Sequence, residues 1–188
     1  MTATATRSTT LNGIDTQALK DTMAAIKADH ARGIARFSVT TAWKGGTVTE
    51  TAIKGWSLGG QDLPKDFTIR IDEPAELLGT NTAANPQENL MAAMNACMAA
   101  TYVAACAMQG IELESLEIET TGELDLRGFL GLNAAIPAGY EGVDYTVRIK
   151  GDGTEEQFRN VHQWVRKTSP NYYNLANAIQ LNATLVIE

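Results

Sequence analysis

The chain has 188 residues, 44% of them hydrophobic and 20% charged, and its 22 acidic residues outnumber 15 basic ones to give a net charge of −7. This composition is typical of one globular domain and excludes a disordered chain. The negative charge argues against binding to nucleic acid or to an anionic membrane surface, because both partners require a basic face.

The first predicted element is a helix. Apolar residues recur at helical spacing over Ile14–His30, with Asp15 or Thr16 placed to cap its start and Gly33 to end it. Ahead of it, Met1–Thr10 has no apolar run of the kind that secretory signals carry, so we expect a cytoplasmic protein. The cysteines are then expected to be reduced.

Strands and a long apolar helix follow. Asn85-Pro86 is typical of a helix start and Gly110 of a helix end, which predicts a helix from Pro86 to about Gln109. The uncharged run Leu90–Met108 is rich in alanine and interrupted by polar residues, which favours a buried helix over a membrane span. Alternating side chains predict strands over residues 37–43, 47–53 and 66–71, the first two joined by a turn at residues 44–46.

The C-terminal half predicts more strands and a second helix. Thr154 and Gln157 match a capping box at the start of a helix that runs to Lys167, and Ser169-Pro170 begins a further short segment. Strands are predicted over residues 113–126, 143–149 and 181–187. Strands segregated from packed helices favour an α+β fold over a parallel α/β sheet.

Most catalytic signatures are missing from the sequence. It contains no glycine-rich phosphate loop, no zinc-ligand spacing and no nucleophile elbow. His30 and His162 have no partner at metal-ligand spacing, so we expect exposed helix histidines, no metal and no cofactor.

Two thiols remain, Cys97 and Cys106, both on the long predicted helix. Nine helical positions separate them by about 13 Å along the axis and turn them to opposite faces. A disulfide needs Cα atoms within about 7 Å, so the two cannot pair within one intact helix. The residues leave open which thiol is reactive, because free cysteine is often a small core residue.

The run from Asn85 to Cys97 resembles the central helix of the OsmC/Ohr family. That family carries an N-P-x-E-x-L-like helix start and a cysteine twelve residues after the asparagine, the spacing found here. The resemblance covers roughly residues 34–188, so we expect an OsmC-like domain there, with residues 1–33 forming a tail and helix extension. Other segments that fit are Gly79-Thr80, Gly110-Ile111, Ser169-Pro170 and residues 122–132, the last resembling a branch with a similar N-terminal helix.

The resemblance implies an α+β, intertwined homodimer in which antiparallel sheets wrap a long central helix. Active members reduce organic hydroperoxides with a nucleophilic cysteine, which a glutamate and an arginine activate and a second, late cysteine resolves. Cys97 matches the nucleophile, whereas Ser169 occupies the position of the resolving cysteine.

The activating residues also differ from the family pattern. Gln87 stands where the glutamate is expected, and Glu88 follows it by one residue. Lys44 stands near the hairpin turn that carries the arginine, and Arg36 is a second candidate cation away from the matching position.

Two functions are therefore predicted as alternatives. The first is a one-Cys hydroperoxide reductase that uses Cys97 and an external thiol. The second is a non-catalytic dimer that binds a small apolar ligand at its interface, although the same apolar residues are more simply explained as dimer core. Arg127 either reaches the site of a partner subunit or forms a surface salt bridge, and we favour the salt bridge. The candidate ligand-lining residues are Met91, Met94, Met98, Met108, Phe129, Leu130, Tyr172 and Tyr173.

Overall fold

The structure is a computed structural model that describes residues 10–188. The chain divides into an N-terminal unit that ends at Ala92 and a C-terminal unit, Ala93–Glu188. Residues 1–9 of the predicted tail and helix extension lie outside the described residues. The domain boundary expected at residue 33 stays a prediction.

The N-terminal unit begins with a helix capped by an aspartate. Short strands β1 (Thr10–Leu11) and β2 (Ile14–Asp15) pair and lead into α1 (Thr16–Ala28). The Asp15 carboxylate accepts hydrogen bonds from the backbone N–H groups of Gln17 and Ala18, both at 3.0 Å. The prediction that Gly33 ends this helix is wrong, because α1 ends at Ala28 and a separate 3-10 turn follows at His30–Gly33.

An antiparallel sheet makes up the middle of this unit. Its strands are β3 (Ala35–Phe37), β4 (Thr40–Trp43), β5 (Thr49–Leu58) and β6 (Gln61–Ile71). The central strand β5 pairs along one edge with β4 and β3 and along the other with β6. The turn before β5 places Gly45 and Gly46 at φ of 104° and 54°, a backbone region that suits glycine. The predicted hairpin is confirmed, with its first arm split into two short strands.

A buried carboxylate, Asp72, joins the end of β6 to two neighbouring loops. It has no solvent exposure and accepts hydrogen bonds from the hydroxyls of Thr47, Thr80 and Thr82 and from the N–H of Glu73. These bonds, those from Thr80 and Thr47 foremost, hold the pKa of Asp72 well below its usual range.

The long helix α2 (Pro86–Met108) carries the candidate thiols. At its start the Asn85 side chain accepts the N–H of Glu88, and the Glu88 carboxylate accepts the N–H of Asn85, both at 2.8 Å. The predicted start and end are both confirmed, with Gly110 at φ 75° just beyond the helix. Among the described residues, α2 is the one helix whose length and apolar composition would allow it to cross a membrane. Its buried side chains identify it as a core helix instead.

The C-terminal unit packs α2 and a second helix on one face of a β-hairpin. Its elements are β7 (Leu113–Gly122), α3 (Leu126–Phe129), β8 (Val143–Gly151), α4 (Glu155–Thr168) and α5 (Pro170–Ala176). Strands β7 and β8 pair antiparallel, with Ile118 opposite Val147 on the inner face. The predicted strand over residues 113–126 ends early, because the Asp125 carboxylate caps a short helix by accepting the N–H of Arg127.

The hydrophobic core lies between the helices and the hairpin. Thr154 and Gln157 form the predicted capping box, which starts α4 so that Val161 and Val165 face the core without solvent exposure. The remaining buried members are Met94, Met98, Tyr102, Ala105, Cys106 and Ile111. Antiparallel sheets with a long core helix confirm the predicted α+β class.

The C-terminal segment differs from its prediction. Residues 181–187 alternate as a strand would, yet they pair with no strand among the described residues. A strand forms only where another backbone edge supplies hydrogen bonds, and the single chain offers this segment none. Its apolar side chains, Leu181, Leu185, Val186 and Ile187, are 74–87% exposed.

Candidate functional site

Cys97 is a partly exposed thiol on α2 whose sulfur faces a serine hydroxyl. Ser169 Oγ donates a hydrogen bond to Cys97 Sγ at 3.6 Å, and Ser169 itself has no solvent exposure. Cysteine reacts as a nucleophile through its sulfur, and the Ser169 hydroxyl donates directly to that atom.

The junction between α4 and α5 holds Ser169 in place. Its N–H donates to the Val165 carbonyl at 2.8 Å, which ends α4, and its own carbonyl accepts the N–H of Tyr173 at 3.0 Å, which starts α5. Pro170 follows at the first position of α5, where its missing N–H costs nothing. Both backbone groups of Ser169 are thus bonded, and its hydroxyl remains for Cys97.

A second contact ties α5 to the helix turn that precedes Cys97. Asn171 Nδ2 donates to the Ala93 carbonyl at 2.9 Å. In an α-helix this is the carbonyl that accepts the N–H of Cys97, four residues later. Thr101 Oγ1 donates to the Cys97 carbonyl at 2.8 Å, so polar side chains bond the backbone on both sides of the thiol.

Asn95 fixes α2 against the hairpin close to Cys97. Its Nδ2 donates to the Ile118 carbonyl at 3.1 Å, and Thr120 Oγ1 donates to its Oδ1 at 2.6 Å. A side-chain amide bonded on both atoms to one strand sets the rotation of the helix and therefore the direction of Cys97.

Cys106 is the contrasting thiol. It has no solvent exposure, and burial raises its pKa. Both cysteines are free, as the helix geometry predicts. Cys97 is therefore the thiol that a reagent can reach.

The polar pair of Tyr102 and His162 was not predicted from the sequence. His162 is half buried, not exposed as predicted, and its Nδ1 is hydrogen-bonded to the hydroxyl of Tyr102. Burial and the nearby Arg166 guanidinium lower the pKa of His162, and burial raises that of Tyr102. Helical phase offered one signal, because His162 directly follows Val161 and lies four residues after Phe158, on the apolar side of α4.

The other predicted site residues lie in the N-terminal unit, where Lys44 and Glu88 have partners. Lys44 forms an ion pair with Glu50 at 3.4 Å. Glu88 is engaged in the capping bonds at the start of α2, Gln87 is exposed beside it, and Arg36 is exposed on β3.

Two further expectations concern the C-terminal unit. Arg127 forms a surface salt bridge with Asp125, as favoured from the sequence, and lowers the pKa of that carboxyl to about 2. Of the candidate ligand-lining residues, Met98 is buried in the core, whereas Phe129 and Tyr173 are 61% and 57% exposed.

The family model for OsmC-like protein matches residues 79–184, more than half of the chain. The chain belongs to the OsmC-like family. The matched range contains α2 with Cys97 and the α4–α5 junction with Ser169, so the resemblance based on residues 85–97 is confirmed.

Solved structures of OsmC-like proteins share this fold. An OsmC-like protein from Mycoplasma pneumoniae is 18% identical with a TM-score of 0.59, over 81% of this chain and 98% of that one. An OsmC-like protein of unknown function from Vibrio cholerae is 15% identical with a TM-score of 0.54, over 74% and 92%. At these identities the likeness shows the fold alone. No curated protein sequence matches this OsmC-like chain.

Proposed function

We propose that this OsmC-like protein is a one-Cys, thiol-dependent organic hydroperoxide reductase, with Cys97 as the nucleophile. The observation that supports it most is the partly exposed Cys97 sulfur accepting a hydrogen bond from the fully buried Ser169 hydroxyl. A thiolate is the reactive species, and a dry hydroxyl donor stabilises its charge more than water-exposed donors do.

In the first step the Cys97 thiolate attacks the terminal oxygen of a hydroperoxide, ROOH. A sulfur–oxygen bond forms, the O–O bond breaks, and the departing alkoxide takes a proton to leave as the alcohol ROH. The sulfur is oxidised to the sulfenic acid and the peroxide is reduced.

An external thiol completes the cycle. One R′SH condenses with the sulfenic acid to give a mixed disulfide and water, and a second R′SH releases the Cys97 thiol together with the disulfide R′SSR′. Ser169 cannot form a disulfide, and Cys106 lies nine positions along the same helix without solvent exposure. The resolving thiol therefore comes from a small molecule or another protein.

Charged side chains complete the proposed chemistry. Lys44, or Arg36 in its place, supplies the cation that stabilises thiolate and alkoxide, Glu88 orients that cation, and Gln87 fills the position of the family glutamate. The presence of Lys44 beside the turn before β5 supports this assignment. Replacement of Lys44 by Gln is expected to slow Cys97 oxidation.

The proposed working form is a cytoplasmic homodimer, whose other partners are the hydroperoxide and the thiol and include neither nucleic acid nor membrane. Support comes from the net charge of −7 and from the unpaired apolar segment at residues 181–187. Sedimentation should give a dimer for the full chain, and a chain that stops at residue 180 should dissociate to monomer.

The decisive experiment follows intact mass after cumene hydroperoxide is added to the reduced protein. The expected result is rapid gain of one oxygen at Cys97, reversed by dithiothreitol, with peroxide turnover while the thiol lasts. Cys97→Ser should abolish both. Cys106→Ser, a change on the same helix at the buried thiol, should keep both.

Failure of Cys97 to react with the peroxide would contradict this proposal. If Cys97 gains no oxygen, or gains it no faster than Cys106, the reductase proposal is wrong. The non-catalytic, ligand-binding dimer then becomes the function to test, with Cys97 as one residue of its interface.

A further inference from the structure

A groove lies on the C-terminal unit between α4 and the hairpin. Its volume is about 640 Å³, within the range of small-molecule sites. Apolar side chains of Val147, Ile149 and Phe158 line it together with Tyr102, His162 and the exposed Gln163. Cys97 is not among its lining residues, so the groove is distinct from the thiol site.

The hydrogen bond from the buried Tyr102 determines which ring nitrogen of His162 carries the proton. Tyr102 is 1% exposed, and His162 is the hydrogen-bond partner of its hydroxyl. If Nδ1 carried the proton, the hydroxyl hydrogen would be buried without an acceptor, which is costly. Tyr102 therefore donates to Nδ1, and the proton of the neutral ring sits on Nε2.

The Nε2 proton of His162 is free to serve a ligand. Nε2 makes no hydrogen bond to another described residue, and no buried side-chain nitrogen or oxygen in residues 10–188 lacks a partner, so Nε2 is open to solvent on a residue that lines the groove. The ring is held from two sides, with Tyr102 and Tyr145 centroids 6.1 and 6.4 Å away. The Nε2–H donor of His162 is therefore preorganised for a ligand.

The charges at the rim select a neutral ligand. Arg159 binds Glu155 through both Nε and Nη2, so the two charges offset each other. Neither a carboxylate nor an ammonium group would find an unpaired countercharge there. We infer that this groove binds a small neutral molecule with an apolar body and one hydrogen-bond acceptor, such as an alcohol, ketone or ester oxygen, held by His162 Nε2.

The test uses three probes with the same ring: benzyl alcohol, toluene and benzoate. The chain has two histidines, so the imidazole resonances of His162 and exposed His30 can be followed separately by NMR. Benzyl alcohol should shift the His162 signals in a saturable way, with a Kd on the order of 1 mM for so small a ligand. His30 should not respond, and toluene and benzoate should bind at least several-fold more weakly.

Variants separate the histidine donor from simple apolar contact. His162→Leu should reduce benzyl alcohol binding, read from the backbone amides of residues 158–163, to the level of toluene. His30→Leu should bind as the unmodified chain does. Equal affinity for toluene and benzyl alcohol, unchanged binding in His162→Leu, or no saturable shift of His162 would each overturn the inference. Cys97 chemistry plays no part in any readout, so the outcome is independent of the proposed reductase activity.

Discussion

Ser169 donates its hydroxyl proton to the sulfur of Cys97 from a fully buried position, across a sequence separation of 72 residues. The bond joins the middle of α2 to the junction between α4 and α5. Because that junction is fixed by backbone hydrogen bonds on both sides of Ser169, the environment of the thiol depends on where two other helices meet.

The first prediction removes this hydroxyl. In Ser169→Ala, the rate at which iodoacetamide alkylates Cys97 at pH 7 should fall about tenfold, because a hydrogen bond to a charged group contributes roughly 1.5 kcal/mol. The measurement is the second-order alkylation rate at that fixed pH, in a Cys106→Ser background. Ser169→Thr should retain most of the effect, and an identical rate in the alanine variant would show that the bond does not act on the Cys97 sulfur.

The second prediction replaces the hydroxyl with a thiol. Ser169→Cys places two sulfurs side by side, so mild oxidation should give a disulfide between Cys97 and the introduced thiol within the chain. The closed loop should raise the free energy of unfolding by about 4 kcal/mol if chain entropy dominates. Peptide mapping identifies the bond, and Cys97→Ser in the same background should leave the new thiol free. Persistence of both thiols under oxidant would mean that their backbones are too far apart.

The third prediction concerns Asn171 as a positioning residue. Asn171→Ala loses the bond to the Ala93 carbonyl, which should cost about 1 kcal/mol of stability and lower the alkylation rate of Cys97 at pH 7, as Ser169→Ala does. Asn177→Ala is the matched control, because Asn177 Nδ2 donates to the Tyr173 carbonyl at the end of α5 rather than to α2. An equal loss of alkylation rate in the control would reduce Asn171 to a purely structural role.

Local signals predicted the elements well. The Asn85-Pro86 start of α2 and the Thr154–Gln157 box of α4 were correct because each cap is completed within four residues. The prediction that Gly33 ends α1 was wrong, because the helix ends at Ala28 and a 3-10 turn begins at His30.

Contacts between residues far apart in the sequence could not be predicted from local sequence patterns. Nothing near Cys97 in sequence indicates Ser169 as its neighbour, and only the family resemblance aligned the two positions. The strand at residues 181–187 failed for a related reason, since alternation shows that a segment can be a strand but not which edge will pair with it. The Tyr102–His162 pair joins residues 60 positions apart and is visible only once α2 and α4 are packed.

The fourth prediction tests the buried Asp72 of the N-terminal unit. Its pKa is lowered in the folded protein, first by the hydrogen bonds from Thr80 and Thr47, so its ionised form stabilises the fold. That contribution is complete above the unfolded aspartate pKa of about 3.9 and is lost as the pH falls below it toward the lowered folded value. The unmodified protein should therefore lose stability steeply below pH 4.

Asp72→Asn tests this directly. The amide keeps the shape but its NH2 group replaces one acceptor oxygen. At the Oδ1 position it removes the acceptor of Thr47 and Glu73, and at the Oδ2 position that of Thr80 and Thr82, so at least two donors lose their partner in either orientation. Urea unfolding at neutral pH should show reduced stability, with a shallower loss between pH 4 and 2 than in the unmodified protein. Asp62→Asn, at an exposed aspartate on β6, is the control and should keep the steep acid dependence. If Asp72→Asn keeps the same acid slope, other carboxylates determine acid stability and the loops around Asp72 are held by packing rather than by its charge.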